Sequence, residues 1–285
     1  MKRTSHIQEL CEIIASEKGR GRKIAFVPTM GYLHKGHLSL IEHARKTDAF
    51  LVVSIFVNPL QFGPNEDLGR YPRDIERDAR LVEEAGVDVL FHPSVEEMYP
   101  RPMVTFVEVR ELDAMLCGAA RPGHFRGVAT VVNKLFNIVQ PDMAFFGQKD
   151  YQQYLIIKRM VADLSLPIEI FSVPIVREDD GLAMSSRNVY LTPEQRQEAL
   201  VLFKSLNLAQ KNIQAGERSA RNLERQVREK INTESHGVID YVEVRDACDL
   251  SEVTEITGPV ILALAVKFGK TRLIDNKVVE GDHYV

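Results

Sequence analysis

The chain predicts an α/β fold: a parallel sheet covered by helices on both faces, followed by a second, smaller α+β domain. Three observations predict it. Short β-rich apolar runs alternate with amphipathic helical stretches through the first half of the 285 residues. Loops bearing glycine and proline stand where a run hands over to a helical stretch. Beyond about residue 175 the alternation stops, and two strongly charged helical stretches precede two extended runs. At roughly 150 residues per domain the length suits two domains or one large one, and the expected division is 1–175 and 176–285.

The elements follow in order. Ile24 to Val27 is a continuous apolar run, a loop with Pro28, Gly31 and Gly36 comes next, a helical pattern runs from Gly36 to about Lys46, and Phe50 to Val57 is the next strand. Together these make one βαβ unit. Asp74 to Ala85 reads as a helix stopped by Gly86, and Val87 to Phe91 as a buried strand. The pattern then repeats, with Val128 to Val139 as helix, Met143 to Phe146 as strand, Asp150 to Leu164 as helix and Ile168 to Val173 as strand. Asp180-Gly181 marks a turn between short extended pieces. Thr192-Pro193-Glu194-Gln195 places a capping Thr before a Pro at the first helical position and a Gln at the third, so a helix starts there. Helical stretches at about 193–213 and 218–232 lead to strands at Val238 to Val244 and Val260 to Val266.

Composition narrows the class. With 45% hydrophobic and 27% charged residues the chain matches a soluble globular protein and not a collagen-like, disulfide-scaffold or disordered one. A formal net charge of −4, without a long basic block, argues against nucleic acid as a partner. Cys11, Cys117 and Cys248 are odd in number and far apart, which outlines neither a disulfide framework nor a CxxC metal knuckle. The first twenty residues are polar at helical spacing and lack the apolar stretch of a secretory signal. No apolar run approaches the roughly 18 residues of a membrane span, so a cytoplasmic enzyme away from membranes is expected.

The sharpest local signal is Pro28-Thr29-Met30-Gly31-Tyr32-Leu33-His34-Lys35-Gly36-His37, directly after the first strand. Loops at the C-terminal ends of parallel strands bind ligands, and the next helix offers free N–H groups to a phosphate. His34 and His37 are three apart, so both imidazoles can face one ligand, while two surface or capping histidines are the plain alternative. A zinc site is disfavoured because no third ligand stands at a suitable spacing. The pattern His-x-Gly-His is that of nucleotidyltransferases that attack the α-phosphorus of a nucleoside triphosphate.

Further clusters add to it. Asp179 to Asn188 supplies a turn, the hydroxyls of Ser185 and Ser186 and the guanidinium of Arg187, which can clamp phosphate oxygens. Next to the histidine loop, at a domain junction, it reads as a phosphate lid. Phe146-Gly147-Gln148-Lys149-Asp150-Tyr151-Gln152-Gln153 lies at another strand-to-helix handover, where Gly147 permits close approach of a nucleotide and Lys149 offers a point charge. Asp150 either caps the helix or meets a ribose hydroxyl or a metal. Asn58 to Gly63 ends the second strand on the same sheet edge, and Gln61 and Gln153 are neutral amides that could orient hydroxyls and a carboxylate without neutralising it. Each is otherwise a surface residue. Gly123-His124-Phe125-Arg126-Gly127 is either a glycine-rich helix start or a ligand contact.

Taken together, the stretches Val27 to His37, Asn58 to Gly63, Tyr71-Pro72-Arg73-Asp74, Gly123 to Val132, Phe145 to Gln153 and Val176 to Leu191 resemble the pantothenate synthetases, ATP-dependent pantoate–β-alanine ligases. The resemblance implies a Rossmann-like N-terminal domain, a smaller C-terminal lid domain and a homodimer. The implied reaction adenylates the pantoate carboxylate with MgATP, releases pyrophosphate, and joins β-alanine to give pantothenate and AMP. By the same resemblance Met30, Gly31, Tyr32, Leu33, His34, Lys35, Gly36 and His37 bind ATP, with His34 and His37 on the phosphates and His37 as proton donor. Gly147, Gln148, Lys149 and Asp150 contact the nucleotide, Val176 flanks adenine, and Met184, Ser185, Ser186 and Arg187 close on the triphosphate. His34, His37, Lys149 and Arg187 form the catalytic set, Gln61, Gln153, Asn58 and His124 the substrate-binding set, and Asp150 the magnesium ligand. Gln148 departs from the family, where many members carry Glu. Two rival readings remain from the residues themselves: a nucleotidyltransferase with a phosphate acceptor, and a non-catalytic nucleotide sensor.

Overall fold

The computed structural model of the protein describes residues 1–64 and 66–280. They divide into two compact units, Met1–Ala114 with Arg121–Ile175, and Met115–Ala120 with the chain from Val176 onward. In chain order the elements are β1 (Lys2–Thr4), α1 (Ile7–Gly19), β2 (Ile24–Thr29), α2 (Lys35–Arg45), β3 (Phe50–Ile55), α3 (Ile75–Glu84), β4 (Val89–Phe91), α4 (Val95–Met98), α5 (Leu116–Ala120), α6 (His124–Val139), β5 (Met143–Gly147), α7 (Tyr151–Asp163) and β6 (Glu169–Val173). They continue with α8 (Pro193–Gln214), α9 (Ala220–Glu234), β7 (Val238–Asp246), β8 (Val260–Phe268) and β9 (Thr271–Val279).

In the first unit the six strands form one parallel sheet in the order β1-β4-β3-β2-β5-β6. The central strands are apolar throughout because both faces are covered. Ala25 and Val27 of β2 point to one side and pack with Leu40, Ile41 and Ala44 of α2 and Ala79 and Val82 of α3. Phe26 points to the other and meets Phe136 of α6 edge-on at 6.4 Å.

Strand order positions the site. From β2 the chain adds β3 and β4 on one side, then returns to add β5 and β6 on the other. The order therefore reverses between β2 and β5, and the loops leaving the C-terminal ends of those strands flank one crevice. Those loops are residues 30–34 and 147–150.

Several boundaries differ from the sequence reading, each for a local reason. Helix α6 starts at His124, a turn before Val128, because Gly123 at φ +80° brings the chain in through the left-handed region. Gln148–Asp150 form one 3-10 turn ahead of α7. Asp88 is outside β4, its carboxylate accepting the Leu51 N–H at 2.8 Å. The N-terminal segment adds β1 and α1, and β9 was not foreseen because its polar Asp275 and Asn276 interrupt the apolar pattern while being buried.

In the second unit α8 and α9 pack on an antiparallel sheet ordered β7-β8-β9. Val260 to Val266 of β8 are all buried, as a central strand requires. Thr192 and Gln195 cap α8 reciprocally, each side chain accepting the other's backbone N–H at 3.2 Å. Asp275 is held by both guanidinium nitrogens of Arg177, at 2.7 and 2.9 Å.

Candidate active site

The histidine loop leaves β2 through two residues in the left-handed region, Gly31 at φ +83° and Tyr32 at φ +51°. Leu33 is fully buried and anchors the loop in the core beneath α2 and α3. His34 Nδ1 accepts the Gly36 N–H at 3.1 Å, and His37 Nδ1 accepts the His34 N–H at 3.2 Å. An Nδ1 that accepts carries no hydrogen, so the proton of each ring sits on Nε2. The rings lie 4.0 Å apart, centroid to centroid. Burial first, then the neighbouring His34 and the Lys149 ammonium, hold the His37 imidazole well below its ordinary titration range. It is neutral near pH 7 and donates through Nε2–H.

One expectation is narrowed here. The amides of this loop are not free for a phosphate: Gly31 donates to Thr29 Oγ1, Tyr32 and Leu33 to the Asp78 carboxylate, His34 and Gly36 to the two imidazoles, and His37 and Leu38 to the His34 carbonyl. Most of the amides of this loop are therefore spent within the fold, and each imidazole carries its proton on Nε2. Lys35, at the first position of α2, is exposed.

Around Gln61 the chain builds a closed hydrogen-bond net. Asn58 is buried and uses both ends of its amide: Nδ2 donates to Gln61 Oε1 and the Gly127 carbonyl, each at 3.1 Å, and Oδ1 accepts from Leu60 N–H and from the Tyr99 hydroxyl. Gln61 Nε2 in turn donates to Met30 Sδ at 3.2 Å, which ties the turn to the histidine loop. His124 bonds the Gln61 carbonyl through Nδ1 at 2.8 Å and meets Arg121 at Nε2 at 2.9 Å. Burial, then the Arg121 charge, push its pKa down to about 4. Arg121 grips Glu66 with two bonds of 2.6 Å. Asn58 and His124 thus each hold Gln61, one at its side-chain oxygen and the other at its carbonyl.

On the other side of the crevice, the loop after β5 carries Gly147, Gln148, Lys149 and Asp150. A Cβ on Gly147 would meet no described atom within 4 Å, so its backbone is open to close approach. The Lys149 ammonium is near enough to act on His37. Asp150 occupies the N-cap position of α7, is exposed, and makes no side-chain cap bond. Gln153 is half-buried one turn further on, whereas its neighbour Gln152 is buried and donates to the Leu112 carbonyl at 2.7 Å. The first unit therefore brings together His34, His37 and Lys149 in one group, and Met30, Asn58, Gln61 and His124 in another joined to it through Met30.

In the second unit Val176 and Met184 face each other across a short antiparallel turn, the Met184 N–H donating to the Val176 carbonyl at 3.0 Å. Ser185 accepts the Arg187 N–H on its hydroxyl at 3.2 Å, and Ser186 is buried. Glu178 secures the turn from below: it accepts Asn188 Nδ2 at 2.9 Å and Arg196 Nη2 of α8 at 2.6 Å.

Sequence reasoning missed Asp78, Gly127 and Tyr99. Asp78 had a readable signal, because it lies on the stripe Ile75, Asp78, Ala79, Val82, where an acid on a buried helical face needs a partner. Gly127 reads in the sequence as part of a helix start or a ligand contact, not as a packing position. A Cβ there would come within 2.2 Å of the Leu60 carbonyl oxygen, so its role is to let α6 lie against the turn that carries Gln61.

Among known proteins, the family model described as pantoate–β-alanine ligase matches residues 2–278. A pantothenate synthetase of Desulfitobacterium hafniense is 64% identical over 275 residues, 96% of this chain and 98% of the relative. One of Acetivibrio thermocellus is 58% identical over 274 residues, with 96% and 98% covered. Crystal structures agree: pantothenate synthetase of Thermus thermophilus superposes with a TM-score of 0.92 at 48% identity, covering 97% of this chain and 99% of that one. Pantoate–β-alanine ligase of Francisella tularensis, crystallised with β-γ ATP and β-alanine, gives a TM-score of 0.79 at 34% identity, covering 98% and 97%. With the family model spanning nearly every residue and the strand-end loops in their required places, the chain belongs to the pantoate–β-alanine ligase family.

Proposed function

We propose that the protein condenses (R)-pantoate with β-alanine to give pantothenate, at the expense of ATP, through a pantoyl adenylate and with release of pyrophosphate and then AMP. The observation that supports this most is the pair of imidazoles with their Nδ1 atoms bound to backbone amides, which sets both ring protons on Nε2 at the reversal point of the sheet, with Lys149 near enough to act on His37.

The chemistry follows from charge. Attack of the pantoate carboxylate on the α-phosphorus of ATP builds negative charge on the bridging and equatorial oxygens while the bond to pyrophosphate breaks. Fixed donors stabilise that state more than the ground state. We assign His34, His37, Lys149 and, on the strength of the resemblance, Arg187 to those oxygens. His37, neutral with its proton on Nε2, is suited to donate a hydrogen bond to the leaving oxygen as charge builds there. Met184, Ser185 and Ser186 are assigned to the triphosphate, Val176 to adenine, and Gly147, Gln148 and Asp150 to the nucleotide. Gln61 and Gln153 are assigned to pantoate. Their neutral amides orient the hydroxyls and carboxylate and leave the nucleophile its charge, which an arginine clamp would blunt. Asn58 and His124 serve by fixing Gln61. The β-alanine amine then attacks the acyl carbon, and AMP leaves.

Magnesium fits this chain as an ion held chiefly by ATP. Among the described residues no group of three or more His, Cys, Asp or Glu could hold a metal, while Mg²⁺ commonly takes one or two carboxylates and completes its shell with phosphates and water. The exposed carboxylate of Asp150 suits that part. Bound there, the ion would neutralise charge on the phosphates. No described helix is long and apolar enough to cross a membrane, and a cytoplasmic homodimer completes the proposal on the strength of the resemblance.

Single-turnover pyrophosphate release from ATP and pantoate tests the assignment. Lys149→Ala and His34→Ala should each slow it about a hundredfold or more, the scale for loss of one transition-state donor, with melting temperatures close to that of the parent chain. Parental rates in both variants would refute it.

A further inference from the structure

The loop that carries the imidazole pair is held by α3. Asp78, only 1% exposed, accepts the Tyr32 N–H on Oδ2 at 2.6 Å and the Leu33 N–H on Oδ1 at 2.8 Å. Its neighbour Arg77 donates from Nη2 to the Leu33 carbonyl at 2.9 Å, approaches Asp78 Oδ1 at 3.3 Å through Nη1, and lies 5.2 Å over the Tyr32 ring. Both peptide groups that lead into His34 are therefore gripped from one helix turn.

Backbone geometry explains why a carboxylate is used. Gly31 and Tyr32 are both in the left-handed region, and the Tyr32 and Leu33 amides that follow converge on one point, a concavity suited to an anion. Tyr32 lacks the freedom of glycine, so its conformation is strained and persists only where its surroundings impose it. Fit is close on the other side as well: a Cβ on Gly31 would lie 3.1 Å from Asp78 Oδ2 and 2.9 Å from Ile55 Cγ2. The protein's own carboxylate fills the concavity that a phosphate would otherwise enter.

We propose that Asp78, assisted by Arg77, is a positioning residue for the adenylation step, fixing the left-handed turn so that the His34 and His37 Nε2–H groups are aimed at the α-phosphate. This rests on the functional reading above. Asp78 touches no reacting atom and acts through the loop alone.

Two variants of the full chain test it. Asp78→Asn sets an NH₂ group against an amide donor, and Arg77→Ala removes the grip on Tyr32 and Leu33 from the half-exposed neighbour. Each, shown folded by circular dichroism, should lower kcat for pantoate-dependent pyrophosphate release on the order of 10- to 100-fold, the scale of a small misplacement of catalytic groups. The KM for pantoate should remain within about twofold, since Gln61 and Gln153 are untouched. Imidazole ¹H–¹⁵N spectra should show the His34 and His37 nitrogens moving in both variants. A role confined to stability would lower the melting temperature and leave kcat and both imidazole spectra at parental values, and that result overturns the proposal. Should Asp78→Asn fail to fold, Arg77→Ala decides by the same readings. If the parent chain itself releases no pyrophosphate from ATP and pantoate, the functional reading fails, and the imidazole spectra still decide whether Asp78 and Arg77 set the loop.

Discussion

At the scale of single residues, the site depends on side chains whose work is to hold others. His124 shows the cost of such a post. Its Nδ1 bonds the Gln61 carbonyl and its ring lies against Arg121, so a second positive charge is unwelcome. In the unfolded chain it takes a proton near pH 6.5, whereas in the fold burial and Arg121 push the pKa down to about 4. A group with a lowered folded pKa that is neutral above it contributes its full stability above pH 6.5, and loses it as the pH falls from 6.5 to about 4. The loss is on the order of 3 kcal/mol. Urea denaturation of the parent and of His124→Asn at intervals from pH 7 to 4 measures it: the parent's stability should fall more steeply than the variant's across that range, and parallel curves would contradict the assignment. At this scale the sequence was legible where spacing alone sets a neighbour, as in the pairing of the His34 and His37 rings. It was not legible where a residue's meaning is a distant partner. His124 and Gln61 are 63 positions apart, and Asp78 reaches Tyr32 across 46.

Among elements, the contact of α6 with the turn at Pro59–Gln61 matters most. Gly127 has no side chain because the Leu60 carbonyl occupies the place of one, and its own carbonyl receives Asn58. Gly127→Ala should therefore push α6 and the turn apart. Overpacking of this kind costs about 1–3 kcal/mol, and the displaced Gln61 should raise the KM for pantoate more than that for ATP. Thermal melting and steady-state kinetics check both, and equal changes in the two KM values would show that the contact does not serve Gln61. Element boundaries were legible where composition alone decides them, as for the capped start of α8 at Thr192. They were shifted where a glycine or an Asx contact redirects the chain, as at Gly123 and Asp88, because such turns depend on φ and on partners far along the sequence. Strand β9 escaped because Asp275 is buried by its pairing with Arg177, and a paired acid looks like a surface residue in a one-dimensional pattern.

For the whole molecule, the fold class was legible because buried parallel strands must be continuously apolar while the antiparallel sheet of the second unit follows charged helices. What could not be read was which donors remain for a ligand once the fold has claimed its own. The amides of residues 31–34 look free in the sequence, yet the Thr29 hydroxyl, Asp78 and the His37 imidazole take them, and each imidazole keeps its proton on Nε2. That arrangement carries the central claim, that the chain activates pantoate at the α-phosphorus before any amine takes part. Exchange of labelled pyrophosphate into ATP measures it most directly. The account predicts exchange that requires pantoate and proceeds without β-alanine, whereas exchange that appears only after β-alanine is added, or that ignores pantoate, would contradict it.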